Sequence, residues 1–210
     1  IKPSVVSADT PILFLFHGNG SNKEDLLGLK DYINKNQIII SMNAPVKRSG
    51  GGWSWFISEL NNGKNPYDLK HAQGTIRDVN KFMTLKIKEL KNSGKHIYAL
   101  GFSQGAILIH SLIHSENTPL NAGLCLSGRL ISNQFSSKAN FQKIAKTPLF
   151  ISHGINDQAI PINLARDTKK YYAKISKKVT YKEYNMGHEL SSECLRDINT
   201  WIEANISFQK

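Results

Sequence analysis

The stretch Lys95-His96-Ile97-Tyr98-Ala99-Leu100-Gly101-Phe102-Ser103-Gln104-Gly105-Ala106-Ile107-Leu108-Ile109 reads as a short strand, a tight turn and the start of an apolar helix. The serine falls at the junction. A G-x-S-x-G turn between strand and helix is the context of a nucleophile elbow. Its hydroxyl stands exposed on a strained turn, and its amide lies near the positive helix end. Gly101 and Gly105 leave room for strand and helix to pass closely. Taken alone, the motif fits an ordinary glycine turn equally well. The flanking strand and helix, together with the partners found below, favour a catalytic Ser103.

The same grammar recurs on either side. Upstream, Ile12-Leu13-Phe14-Leu15-Phe16 is a continuous apolar run, as expected of a strand buried on both faces. It ends in His17-Gly18-Asn19-Gly20. Ser21-Asn22-Lys23-Glu24 matches a capping box and predicts a helix to about Asn34. Gln37–Ser41 reads as the next strand. Residues 42–67 read as an irregular, functional loop with Gly50-Gly51-Gly52, Trp53, Trp55 and Phe56. Those aromatics either line a ligand groove or tuck beneath the loop, and the groove is the favoured reading. Asp68 caps a long helix whose Ile76, Val79, Met83, Ile87 and Leu90 share one face.

Downstream, Asn121–Ser127 and Thr147–Ser152 read as strands, separated by an excursion at 128–147 too short for a large lid. Asn163 is expected to cap a helix to about Ile175. Val179–Tyr184 is the last strand, and Leu190, Cys194, Ile198 and Trp201 mark the last helix. Strands alternating with helices predict an α/β fold, a mostly parallel sheet with helices on both faces. Residues 1–210 read as one domain. Ligands in such sheets bind at the carboxyl ends of strands.

A serine nucleophile needs a base, and the base needs an orienting acid. In α/β-hydrolases the chain order is serine, acid, histidine. Here Ser103 is followed by Asp157 and then His188, each just beyond its own strand. Asp157 alone reads as a turn residue, and His188 alone as a surface histidine. The order and placement of all three argue against coincidence. His110 and His114 lie too close in sequence to Ser103 to face it easily. His17 and His153 sit in H-G turns and are read as organising backbone. The oxyanion requires two fixed N–H donors. The amide of Gln104 and the amide of Asn19 are the candidates.

Composition narrows the class. No apolar run reaches the roughly 18 residues of a membrane span, and the start shows no signal-peptide pattern, so a cytoplasmic protein is expected. Two cysteines, Cys125 and Cys194, read as buried apolar residues rather than a disulfide framework. No zinc-site spacing is present. The net charge of +11 is carried by dispersed lysines with no nucleic-acid motif. Solvated helix faces are the favoured account; weak contact with an anionic membrane surface is the alternative.

His17-Gly18-Asn19-Gly20, Ser54-Trp55-Phe56, Gly101-Phe102-Ser103-Gln104-Gly105-Ala106, Leu126-Ser127-Gly128, His153-Gly154-x-x-Asp157-x-x-Ile160-Pro161 and Gly187-His188 together resemble the phospholipase/carboxylesterase family, which includes acyl-protein thioesterases. The resemblance implies a cofactor-free serine esterase or thioesterase with an α/β-hydrolase fold and no large lid domain. It places the triad at Ser103, Asp157 and His188, and the oxyanion amides at Asn19 and Gln104. It also places Trp55 and Leu130 near the acyl group. The implied substrate is a small-molecule ester or thioester, and an open groove between the loop at 42–67 and Leu130 and Ile131 is expected to favour short to medium acyl chains. A lysophospholipase, an acyl-protein thioesterase or, less readily, a peptidase would use the same triad.

Overall fold

The apolar run at the start of the chain forms β1 (Ile12–Phe16), with all five side chains fully buried. Burial on both faces explains why its sequence does not alternate. Ile12, Phe14 and Phe16 enter one core, whereas Leu13 and Leu15 enter the other. The computed structural model describes residues 1–57, 67–131 and 140–206.

β1 lies inside a six-stranded sheet with β2 (Ile38–Ser41), β5 (Ile97–Phe102), β6 (Ala122–Leu126), β7 (Leu149–Gly154) and β8 (Val179–Tyr184). The strand order is β2-β1-β5-β6-β7-β8, and every neighbouring pair is parallel. One face is covered by α1 (Leu69–Glu89), α2 (Gln104–His114), α3 (Phe141–Lys146) and Tyr172 of α4 (Ile162–Ala173). The other face carries Leu26, from a 3₁₀ turn, and α5 (Ser192–Asn205). α2 is buried along its whole length, as its all-round apolar sequence requires. The sheet grows outward from β1 in one direction and from β5 in the other. The turns after these two strands therefore flank a topological switch point.

Three local expectations are corrected. The helix predicted after Ser21 is a 3₁₀ helix over Asp25–Asp31 with no side-chain cap. Ser21 Oγ donates instead to Asp25 Oδ2 at 2.6 Å, so the capping box does not form. The helix expected from Asn163 to Ile175 is Ile162–Ala173, with Pro161 at its cap position. The loop read as irregular contains an antiparallel hairpin, β3 (Val46–Lys47) with β4 (Trp53–Ser54). Residues 58–66 of that loop and 132–139 of the later excursion lie outside the described residues. Asp68 does cap α1, accepting from the His71 amide at 3.0 Å.

Candidate active site

The elbow is built from backbone. Ser103 has φ 53° and ψ −116°, a conformation unfavourable for a residue with a β-carbon. It is held there by its amide, which donates to the Leu126 carbonyl at 2.9 Å. Its own carbonyl accepts from Ala106 and Ile107 in the first turn of α2. A β-carbon at Gly105 would overlap the Phe16 carbonyl, so α2 meets the end of β1 backbone to backbone. Any larger residue would lift the helix and move the serine.

Three strand ends converge here. Ser103 Oγ lies 2.9 Å from His188 Nε2, and His188 Nδ1 lies 2.7 Å from Asp157 Oδ2. The carboxylate can only accept, so Nδ1 donates and Nε2 is left to accept the serine proton. Phe102 covers the imidazole, with ring centroids 4.9 Å apart. Asp157 is fixed from behind: its Oδ1 accepts from the amides of Ala159 at 2.9 Å and Ile160 at 2.8 Å. The turns carrying Asp157 and His188 are zipped together, with Ile155 N–H donating to Tyr184 O and Asn156 N–H to Met186 O. At Gly154 a β-carbon would strike the Met186 and Gly187 carbonyls, so this close fit requires glycine.

The turn after β1 lies over the serine, with Gly18 packed against Phe102 and Ser103. The amide of Gln104 sits at the first helical position, where no acceptor exists within the helix. The Asn19 amide makes no hydrogen bond among the described residues, whereas Gly20 N–H is used by Trp53 O. His17 does organise backbone. Its Nδ1 donates to Gly18 O at 2.7 Å, and its Nε2 accepts from Ala44 N–H at 3.1 Å. Burial pushes its pKa below the ordinary histidine range.

Trp55 departs from the exposed groove wall expected of it. It is fully buried, and Phe56 is also buried. The indole N–H donates to the His17 carbonyl at 2.9 Å, and its ring meets Phe16 edge-on. The Trp55 amide donates to Gln104 Oε1 at 2.7 Å, and Ser54 Oγ donates to the same oxygen at 3.1 Å. One tryptophan thus braces the neighbours of both candidate oxyanion donors from behind. Leu130 is half-buried beyond the β6 turn, its amide donating to Thr168 Oγ1 of α4 at 2.8 Å. The bracing side chain of Gln104 was missed at the level of sequence, because its partners lie some fifty residues away.

An elbow serine, a histidine and a carboxylate at the carboxyl edge of a parallel α/β sheet define the class of α/β-fold serine hydrolases. The chain belongs to the phospholipase/carboxylesterase family, whose model matches residues 3–206. It is 30% identical over 205 residues to a protein of Kluyveromyces lactis named acyl-protein thioesterase 1, covering 89% of this chain and 88% of that one. In structure it resembles the Bacillus cereus carboxylesterase, at 24% identity and TM-score 0.83 over 96% of this chain and 92% of that chain. It also resembles Zea mays acyl-protein thioesterase 2, at 20% identity and TM-score 0.78 over 99% and 97%. Membership brings esterase or thioesterase activity on small-molecule acyl substrates. Among the described residues, no helix is long and apolar enough to cross a membrane.

Proposed function

We propose that this protein hydrolyses short- to medium-chain acyl esters through Ser103, His188 and Asp157. The observation that carries the reading is the unbroken hydrogen-bonded chain from Ser103 Oγ through both ring nitrogens of His188 to Asp157 Oδ2. His188 Nε2 takes the serine proton as Oγ attacks the acyl carbon. The imidazolium formed faces the Asp157 carboxylate, which holds the ring in place. The tetrahedral oxyanion is received by the amides of Asn19 and Gln104, each worth roughly 3–4 kcal/mol of barrier lowering. His188 then returns its proton to the leaving oxygen or sulfur, and the bond to the acyl carbon breaks. Water, activated by the same imidazole, releases the acid from Ser103.

Leu130, half-buried beyond the β6 turn, and Ile131, at the edge of the core, are the apolar side chains proposed to meet the acyl group. Each methylene they cover should add about 0.8 kcal/mol until that surface ends. A second reading, acyl-protein thioesterase, is supported by the name of the Kluyveromyces lactis relative. The test is a rate profile over acyl lengths, run in parallel on oxygen esters and thioesters. Ester turnover that peaks at short to medium chains and vanishes in Ser103→Ala supports the first reading. A peak on long-chain thioesters supports the second. Undiminished turnover in Ser103→Ala overturns both.

A further inference from the structure

Asp157 is approached by two histidines, and the mechanism above uses only one. We infer that His153, the penultimate residue of β7, is a positioning residue that holds the Asp157 carboxylate in line with His188. The inference rests on the proposed triad.

The side chains of His153 and Asp157 are both fully buried. His153 Nε2 lies 2.7 Å from the Ile160 carbonyl oxygen. A carbonyl can only accept, so this nitrogen carries the proton. The same nitrogen lies 3.3 Å from Asp157 Oδ2, the oxygen that also faces His188. Its N–H is therefore directed at the Ile160 carbonyl, and Asp157 Oδ2 lies against the same edge of the ring as a close polar contact. His153 Nδ1 is buried and has no partner among the described residues, so all polar contacts of this ring run through Nε2. A buried polar group is costly unless it is bonded, and an apolar residue would fill this inner strand position at no such cost.

The geometry explains what the ring does. Asp157 Oδ1 is pinned by the Ala159 and Ile160 amides, which fixes one end of the carboxylate. Because the carboxylate is planar and rigid, holding Oδ1 also holds Oδ2, so the direction of Oδ2 depends on how firmly the turn carrying those amides is fixed. Both His188, at 2.7 Å, and His153, at 3.3 Å, approach that oxygen. By also holding the Ile160 carbonyl, His153 ties down the turn that supplies the amide on Oδ1. Without it, Ile160 O loses its donor and Oδ2 loses its second contact. Small displacements of a catalytic group have large effects on rate.

Three variants test this. His153→Gln keeps an N–H at about the reach of Nε2. His153→Phe keeps the ring and removes the donor. His153→Asn keeps a donor too short to reach. We expect kcat to fall about 10- to 30-fold in Phe and Asn, with KM within about twofold, and Gln to stay within about threefold of the parent. The low-field proton resonance of the His188–Asp157 bond should shift in Phe and Asn but not in Gln. Should the Phe variant fail to fold, Asn against Gln decides. An unshifted resonance with kcat within twofold in Asn overturns the inference. So does an equal loss in all three that follows their melting temperatures, which marks a packing role. Because the resonance reports the Asp157–His188 contact without turnover, failure of the esterase reading is seen separately, as an inactive parent with the resonance intact.

Discussion

Two histidine clusters adjoin helix α2, one before its start and one along its body, with opposite fates. At its start, His188 lies between a hydroxyl and a carboxylate, with a quarter of its side chain exposed. Along its body, His110 is fully buried with its Nδ1 2.9 Å from the Tyr172 hydroxyl and Cys125 Sγ at 3.8 Å. His114 follows one turn later, its Nδ1 donating to the His110 carbonyl at 2.6 Å and its Nε2 meeting the Tyr171 hydroxyl. Both clusters are hydrogen-bonded. The first pairs imidazole with a carboxylate and leaves it partly exposed. Burial, and secondarily the neighbouring His114, push His110 down to about 3. The difference teaches what the proposed proton carrier has and His110, among the described residues, lacks: a carboxylate partner for its charged form. Where, as at His110, the hydrogen-bond partner is neutral and buried, the ring becomes packing.

The largest effect should come from dismantling the first cluster. Ser103→Ala should abolish fluorophosphonate labelling and lower kcat by about 10⁴-fold or more while leaving the fold intact. Retained labelling would remove Ser103 from the mechanism. Asp157→Asn and His188→Ala should each lower kcat by at least about 10³-fold. Their double mutant should be scarcely worse than the worse single, as groups acting as a unit require. Additive losses in kcat would instead mean two separate roles.

The second cluster should register in stability. His110 has its pKa lowered in the folded state, so the unfolded chain binds the proton more readily. Stability is therefore intact above the unfolded value near 6.5 and is lost as pH falls from there toward 3, by up to about 1.4 kcal/mol per pH unit for one proton. Denaturant titrations at descending pH should show this slope, reduced by one proton's worth in His110→Gln. An identical slope in that variant would place the acid sensitivity elsewhere. A smaller effect is expected behind the active site. Trp55→Phe keeps an aromatic ring, removes the bond to the His17 carbonyl and leaves a small cavity, at a cost of about 1–3 kcal/mol for the lost bond and more for the cavity. If Trp55 braces the oxyanion turn, kcat should fall at all acyl lengths alike. A loss confined to long chains would restore it as an acyl contact.

Much of this arrangement is legible in the sequence, and the exceptions share a cause. Ser103, Asp157 and His188 are readable because each follows a strand, and strand ends in a parallel sheet share one edge. The strands are readable because runs such as Ile12–Phe16 have no polar member. The 3₁₀ helix at Asp25–Asp31 was read as an α-helix, since local capping signals do not report that Ser21 bonds Asp25 instead. Trp55 was read as exposed because its hydrogen-bond partners, His17 and Gln104, are remote in sequence. His153 was seen as a turn histidine. Its link to Asp157 needed coordinates, although a spacing of one helical turn between the two was visible in the H-G-x-x-D motif.

The place of β1 also bears on how the chain acquires its shape. Ile12 pairs with Ile38 on one side and Ile97 on the other. β1 thus depends on an inner neighbour, β5, that begins only at Ile97. Until β5 joins, Ile-Leu-Phe-Leu-Phe, fully buried at the end, has an unpaired edge on its inner side. Closing so long a loop costs entropy before any pairing repays it. Refolding should therefore run on the millisecond-to-second scale and lose yield to aggregation as concentration rises. Stopped-flow tryptophan fluorescence against protein concentration would measure both, and a concentration-independent microsecond phase that recovers all signal would contradict it.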